Sequence, residues 1–108
     1  SAPWSRLPAR QRLAARATAF VRSLAAAPSP LLLAWPAGPA PAGLRPGRSW
    51  QACGSGTWSE VALASGLGVP VVVFGFAPPS AWGTAVPLVS GPLSGGWLVR
   101  PLRQVSLF

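Results

Sequence analysis

Residues 31–76 read LLLAWPAGPAPAGLRPGRSWQACGSGTWSEVALASGLGVPVVVFGF, and this stretch decides the fold. We predict an apolar strand at 31–35, a Pro/Gly-rich loop at 36–56, a helix at 57–67 and a second apolar strand at 69–74. Strand, glycine turn, helix and strand in this order form half of a nucleotide-binding α/β unit. A right-handed crossover would place the two strands side by side and parallel. The stretch therefore predicts an α/β fold with a Rossmann-like parallel sheet and flanking helices.

The remaining residues fit one small domain, because 108 residues are too few for a second one. Apolar residues recur at three- and four-residue spacing in 8–27, which predicts an amphipathic helix that ends before Pro28 and Pro30. Residues 76–108 have weaker patterns and are expected to be irregular or to form short strands near 85–89 and 96–100. The domain assignment is therefore a single unit over 1–108.

Two apolar segments predict burial on more than one side. Strand 31–35 is apolar at every position, as parallel strands covered by helices on both faces tend to be. Residues 61–64 in the helix are apolar all round, so a sheet on one side and a partner subunit on the other would bury them. Doubly wound sheets normally have about five strands. We therefore expect a homodimer, or a partner that supplies the missing half of the fold.

The ionisable side chains are few, and this excludes several classes of chemistry. The chain has nine Arg, no Lys, His, Asp or Tyr, one carboxylate at Glu60 and one thiol at Cys53. Two such side chains cannot build a protein metal site, a Ser-His-Asp device or a pair of catalytic carboxylates. No metal and no cofactor is expected, and acid or base catalysis within one chain would fall to Glu60.

Localisation and charge give further expectations. No secretory signal and no apolar run near the ~20 residues of a membrane span is visible. One cysteine offers no disulfide framework, so the reducing cytoplasm is expected. The net charge of +8 permits binding to nucleic acid. Arginine without lysine, beside abundant Ala, Gly and Pro, is also typical of a GC-rich bacterial genome, and the arginines are spread along the chain.

The turn Gly54-Ser55-Gly56-Thr57 has the composition of an anion site. Glycines let the backbone approach a phosphate, and a helix N-terminus carries about half a positive charge. The alternative interpretation is purely structural. Thr57 and Glu60 have the spacing of a capping box, in which Thr57 caps the helix and Glu60 reaches back to the cap N–H. Spacing alone leaves both interpretations open.

Residues 54–60, Gly-Ser-Gly-Thr-Trp-Ser-Glu, resemble the Gly-Gly-x-Gly-Thr-x-x-Glu signature of the SLOG superfamily, which contains the Lonely Guy phosphoribohydrolases and relatives of DNA-processing protein A. The resemblance covers about residues 10–76 and looks closest to uncharacterised bacterial SLOG-like proteins. Cys53 stands where the family has its first glycine, and the family's opening strand has no counterpart. The resemblance implies the carboxyl half of the fold, with Glu60 and an upstream helical arginine, Arg16 or Arg22, at the active site.

Other side chains near the turn have two interpretations each. Arg45 and Arg48 could bind phosphate as bidentate donors, or lie in solvent. Cys53 has no histidine to activate it and is interpreted as a spectator thiol. Four tryptophans could stack on a base or pack in the core; they are Trp35, Trp50, Trp58 and Trp82.

Three functions follow as hypotheses. The leading one is binding of a nucleotide or nucleotide-derived ligand, with its phosphate on 54–57 and its ribose near Glu60. The resemblance implies, as an alternative, a phosphoribohydrolase-like N-glycosidic hydrolase that uses Glu60 and Arg16. The third is a nucleic-acid-binding or DNA-processing accessory module.

Overall fold

Residues 9–82 and 85–100 are described by the computed structural model, and they form two helices and one four-stranded sheet. The predicted combination of helices with a sheet is confirmed, whereas the predicted parallel sheet is parallel only between its first two strands. In chain order the elements are α1 (Ala9–Ala25), β1 (Leu32–Ala34), α2 (Gly56–Gly66), β2 (Val71–Phe74), a 3₁₀ turn (Ser80–Trp82), β3 (Ala85–Pro87) and β4 (Gly96–Val99). Pro8 and the tail 101–108, which the sequence assigned to the first helix and the irregular end, lie outside the described residues.

Both helices end where the sequence supplies a stop signal. The chain leaves α1 three residues before Pro28. At the end of α2, Gly68 has φ +87°, its N–H donates to the Ser65 carbonyl at 3.1 Å, and the Val69 N–H donates to the Ala64 carbonyl at 2.9 Å. This pair of bonds is a Schellman motif, which satisfies two of the last carbonyls of the helix. The stop delivers the chain directly into β2.

The sheet has the strand order β1-β2-β4-β3. β1 and β2 pair in parallel with Leu32 opposite Val71, as the strand-helix-strand order predicts. β4 pairs antiparallel with both β2 and β3, so the sheet is mixed rather than wholly parallel. Residues 88–95 explain the difference. They join β3 to β4 as a hairpin, closed by Gly95 N–H to the Leu88 carbonyl at 2.8 Å, and hold no crossover helix of the kind that parallel strands need.

One face of the sheet carries the core and the other has no helix over it in the part of the chain that the structure describes. Leu32 and Ala34 of β1 point toward α2 and are buried, together with Val71, Val73 and Val99. On the opposite face Leu33 is 37% exposed and Trp35 is 64% exposed, with Trp35 stacked on Phe74 at 4.9 Å between ring centroids. The prediction that helices cover both faces of strand 31–35 is therefore wrong for the described residues.

The middle of helix α2 is buried all round, as its composition predicts, and other parts of the same chain bury it without a partner subunit. Residues 61–65 are all buried. The sheet covers one side, α1 contributes Val21, and the Pro/Gly-rich loop contributes Leu44. Two tryptophans fasten this loop to the core. Trp58 Nε1–H donates to the Gly38 carbonyl at 2.7 Å, and Trp82 Nε1–H donates to the Leu44 carbonyl at 2.8 Å.

Candidate functional site

The glycine turn leads directly into α2, and its geometry assigns the helix cap. Gly54 has φ +86°, a backbone conformation that residues other than glycine rarely adopt. Ser55 is extended, with φ −134° and ψ 113°. The Ser55 Oγ accepts a hydrogen bond from the Trp58 N–H at 3.2 Å, and the Ser55 carbonyl accepts from the Ser59 N–H at 2.9 Å. Ser55 is therefore the N-cap.

This assignment corrects the predicted capping box. The helix begins at Gly56, one residue earlier than expected, so Thr57 is its second residue and Glu60 its fifth. A glutamate that reaches back to the cap must be the third residue of the helix, and Trp58 occupies that position. Glu60 therefore has no capping function, and the structural explanation for the only carboxylate of the chain is removed.

The first backbone donors of α2 remain available. Among residues 9–82 and 85–100, the N–H groups of Gly56 and Thr57 donate to no protein acceptor. Helix N-termini leave such donors without partners inside the helix, and the macrodipole places partial positive charge on them. The start of α2 can thus receive an anion without breaking any hydrogen bond that holds the turn.

Hydrogen bonds among Gln51, Cys53, Ser55 and Ser59 stabilise the glycine turn, and the sequence did not indicate them. Ser59 Oγ donates to the Gln51 carbonyl at 2.6 Å and lies 3.1 Å from Cys53 Sγ. Because the Ser59 hydrogen is used on Gln51, the Cys53 thiol is the donor, either to Ser59 Oγ or to the Ser55 carbonyl at 3.4 Å. Cys53 therefore helps to hold the turn through its S–H group.

Three depressions meet at the turn, and Gly56 lines all of them. A depression of about 490 Å³ lies toward α1, and one of about 600 Å³ lies toward the proline-rich part of the loop, with Pro39 and Pro41. The smallest, about 230 Å³, continues along α2. We call it the Glu60 depression, and its lining residues are Ala17, Trp50, Gly56, Thr57 and Glu60. A ligand on the first N–H groups of α2 would extend into these spaces.

Glu60 lies half-buried in the Glu60 depression. Burial raises the pKa of its carboxyl above the ordinary value, because a low-dielectric environment disfavours the charged form. Among the arginines whose side chains the structure describes, which are Arg16, Arg22, Arg45, Arg48 and Arg100, none forms an ion pair with it. The carboxylate therefore retains acceptor capacity that a hydrogen-bond donor on a ligand could use.

The raised pKa of Glu60 predicts that unfolding depends on pH. A carboxyl whose pKa is higher in the folded state than in the unfolded state lowers the stability of the fold as pH rises from the unfolded-state pKa through the folded-state pKa. Wild-type stability should therefore increase as pH falls from the raised value toward the ordinary one. We expect Glu60→Gln to increase the unfolding midpoint at pH 7 and to leave it unchanged at pH 4, measured by thermal unfolding with circular dichroism. An equal increase at both pH values would contradict a desolvated carboxylate.

The structure does not bring the predicted arginines to the turn. Arg16 is exposed on α1 and lines none of the three depressions. Arg45 and Arg48 line a separate depression with Ser65 and Gly66, at the opposite end of α2. Arg22, the alternative helical arginine, lines another depression with Arg48.

The tryptophans separate into core and site residues. Trp58 and Trp82 are each 1% exposed and pack edge to face, with ring centroids 5.7 Å apart. Neither can stack on a base, which supports their interpretation as core residues. Trp35 lies on the open face of the sheet. Trp50 alone of the four lines the depressions on the α1 side of the turn.

Comparison of the chain with protein-family models, with curated proteins and with solved structures found no match. Neither α1 nor α2 has the length and hydrophobicity needed to span a bilayer. Of the residue types that bind metals most often, the chain contains only Cys53 and Glu60, and the described part of the chain has no group of three such residues.

Proposed function

We propose that this chain binds a nucleotide or a nucleotide-derived ligand at residues 54–57. The ligand phosphate would accept hydrogen bonds from the N–H groups of Gly56 and Thr57, where the dipole of α2 favours a negative charge. The observation that carries the proposal is that these unused donors open onto spaces that also hold an indole and a carboxyl group. Trp50 supplies the aromatic surface, and Glu60 supplies the acceptor.

The parallel pair and the turn support a Rossmann-like interpretation of this half of the domain. β1, the turn, α2 and β2 follow each other in the order of a nucleotide-binding unit, and the turn precedes the helix N-terminus. We propose that this unit corresponds to the carboxyl half of a SLOG-type domain. The antiparallel strands β3 and β4 occupy the side of β2 where a doubly wound fold would continue with parallel strands.

The hydrolase alternative has less support from the geometry. It requires an arginine beside Glu60 to position the substrate, and Arg16 does not line the Glu60 depression. Glu60 has an environment suited to either acid chemistry or ligand recognition, because burial raises its pKa. Binding requires only ligand recognition by Glu60, so the geometry supports binding better than hydrolysis.

The variant Gly56→Ala tests the proposed site with little effect on folding. No heavy atom lies within 4 Å of the Cβ position at Gly56, and alanine is favoured over glycine in helices by up to about 1 kcal/mol. The methyl group would nevertheless occupy the point where the three depressions meet. We expect an affinity loss of about tenfold for a ligand phosphate, with an unchanged or higher unfolding midpoint.

The measurement begins with native mass spectrometry of gently purified protein, followed by calorimetric titration with the four ribonucleoside 5′-monophosphates. Co-purified mass that matches a nucleotide, or binding of one monophosphate that Gly56→Ala weakens, supports the proposal. Two results would contradict it: no bound or binding nucleotide at all, or equal affinity of the wild type and Gly56→Ala.

A further inference from the structure

The loop that carries Arg45 and Arg48 is fastened to the last turns of α2. The Gly47 N–H donates to the Ala62 carbonyl at 3.3 Å, and Gln51 Nε2–H donates to the Arg45 carbonyl at 2.6 Å. Gly47 also packs so closely on Gly66 that a Cβ at Gly66 would overlap its backbone. The two arginines therefore extend from a backbone that is held in place.

A depression of about 360 Å³ lies between this loop and the end of α2. We call it the Arg45–Arg48 depression; it is lined by Arg45, Pro46, Gly47, Arg48, Ser65, Gly66 and Ala81. Arg48 also lines a neighbouring depression, together with Arg22. The only carboxylate of the chain, Glu60, lines neither of them. Positive charge is thus concentrated at this end of the helix without a counter-charge from the described residues.

The guanidinium groups keep their hydrogen-bonding capacity. Within the described ranges, neither Arg45 nor Arg48 donates a side-chain hydrogen bond. Three of the last four carbonyls of α2 do not need them, because Leu63, Ala64 and Ser65 each accept a backbone N–H, at distances of 2.9 to 3.2 Å. With these carbonyls satisfied, the negative end of the helix dipole opposes an anion less strongly.

Ser65 provides an independent observation at the same place. The residue is 4% exposed and its Oγ has no hydrogen-bond partner. Buried hydroxyl groups in folded proteins almost always have a partner, so an orphaned one requires an explanation. An oxyanion in the depression would supply the missing acceptor, and arginine side chains are the residues that recognise such groups with paired hydrogen bonds.

We infer that the Arg45–Arg48 depression is a binding site for a tetrahedral oxyanion, a phosphate or a phosphoryl group, held by the two guanidinium groups with the Ser65 hydroxyl as a further donor. This site is separate from the nucleotide site proposed above. The two lie at opposite ends of α2, which spans about 16 Å over its 11 residues.

Calorimetric titration with inorganic phosphate, at constant ionic strength maintained with NaCl, tests the inference. We expect Arg48→Gln to weaken phosphate binding about tenfold, because it removes a charge-assisted donor. Arg16→Gln is the matched control, since it removes the same charge from an exposed position on α1, between Ala14 and Ala17, which line the depressions at the opposite end of α2. It should change the affinity by less than about twofold, because screened distant charges contribute little. Equal losses in both variants would show only diffuse attraction and would overturn the site.

Ser65→Ala tests whether the Ser65 hydroxyl group donates a hydrogen bond to the bound oxyanion. The variant removes an unpartnered buried hydroxyl from a helix, so its unfolding midpoint should rise, and a misfolded variant would not show this. Phosphate binding should nevertheless weaken about threefold. A higher midpoint with unchanged phosphate affinity would overturn the role of Ser65.

The final comparisons distinguish the source of the oxyanion and the place where it binds. Tighter binding of inorganic phosphate than of ribose 5-phosphate indicates a free anion, and the reverse indicates a phosphoryl group on a small molecule. Both results support the site if Arg48→Gln weakens them. If instead Gly56→Ala abolishes phosphate binding and Arg48→Gln does not, the anion binds only at the turn and the inference fails.

Discussion

Trp58→Ala is expected to unfold the domain or to leave it barely folded at 25 °C. Trp58 is 1% exposed, and a buried Trp→Ala change typically costs about 3–5 kcal/mol. It also removes the donor to the Gly38 carbonyl and the edge-to-face contact with Trp82. Domains of this size have total stabilities of about 5–15 kcal/mol, so this one change removes a large fraction of the total. Urea unfolding followed by circular dichroism measures it.

Two further variants make the result specific. Trp58→Phe retains most of the apolar volume but loses the bond to Gly38, so its cost should lie between the wild type and Trp58→Ala. Trp35→Ala is the exposed control. Trp35 contacts solvent over most of its surface and stacks on Phe74, which limits the loss to about 1 kcal/mol. If Trp58→Ala lowers the free energy of unfolding by no more than Trp35→Ala does, α2 does not pack against the loop as described.

The helices and the first two strands could be predicted because their signals are local. Hydrophobic periodicity and the stops at Pro28 and Gly68 place α1 and α2 within a few residues of their observed ends. The direction of β4 is a different matter. The direction depends on the hairpin 88–95, which a hydrogen bond from the Gly95 N–H to the Leu88 carbonyl closes. No local pattern in the sequence predicts that bond. The open sheet face could not be predicted either, because apolar side chains at Leu33 and Trp35 look the same whether or not a helix covers them.

The candidate site could be predicted in part for the same reason. The turn and the start of α2 follow from consecutive residues. Ser55 and Thr57 are both favourable capping residues, and Glu60 has the spacing of a capping box only with Thr57. The positive φ of Gly54 and the extended Ser55 start the helix earlier. No sequence pattern reports that choice of backbone conformation.

The placement of Arg45 and Arg48 shows what sequence proximity cannot provide. Both precede the turn by fewer than ten residues, and this proximity predicts a role in binding the same phosphate. The loop instead runs along α2 and meets its far end, where Gly47 bonds to Ala62. A contact between residues so distant in sequence depends on the path of the whole loop. The structure therefore places both arginines at the opposite end of α2 from the turn.

Gly66→Ala is expected to destabilise the domain by about 1–2 kcal/mol, although helix propensity predicts a gain. Alanine is favoured over glycine within a helix by about 1 kcal/mol. At Gly66, however, the new Cβ would overlap the backbone N, C and O atoms of Gly47. Backbone atoms cannot rotate away as a flexible side chain can, and overpacking of this kind typically costs about 1–3 kcal/mol. The loop would have to leave its position on Ala62.

Gly56→Ala provides the matched comparison, because it makes the same substitution in the first residue of the same helix without any neighbour within 4 Å. Helix propensity acts in the same direction in both variants, so a lower urea midpoint for Gly66→Ala than for Gly56→Ala measures the contact with Gly47. Loss of that contact would also displace Arg45 and Arg48, so phosphate binding should weaken in Gly66→Ala. If Gly66→Ala is instead at least as stable as Gly56→Ala, the loop does not pack on the end of α2, and the oxyanion site loses its structural basis.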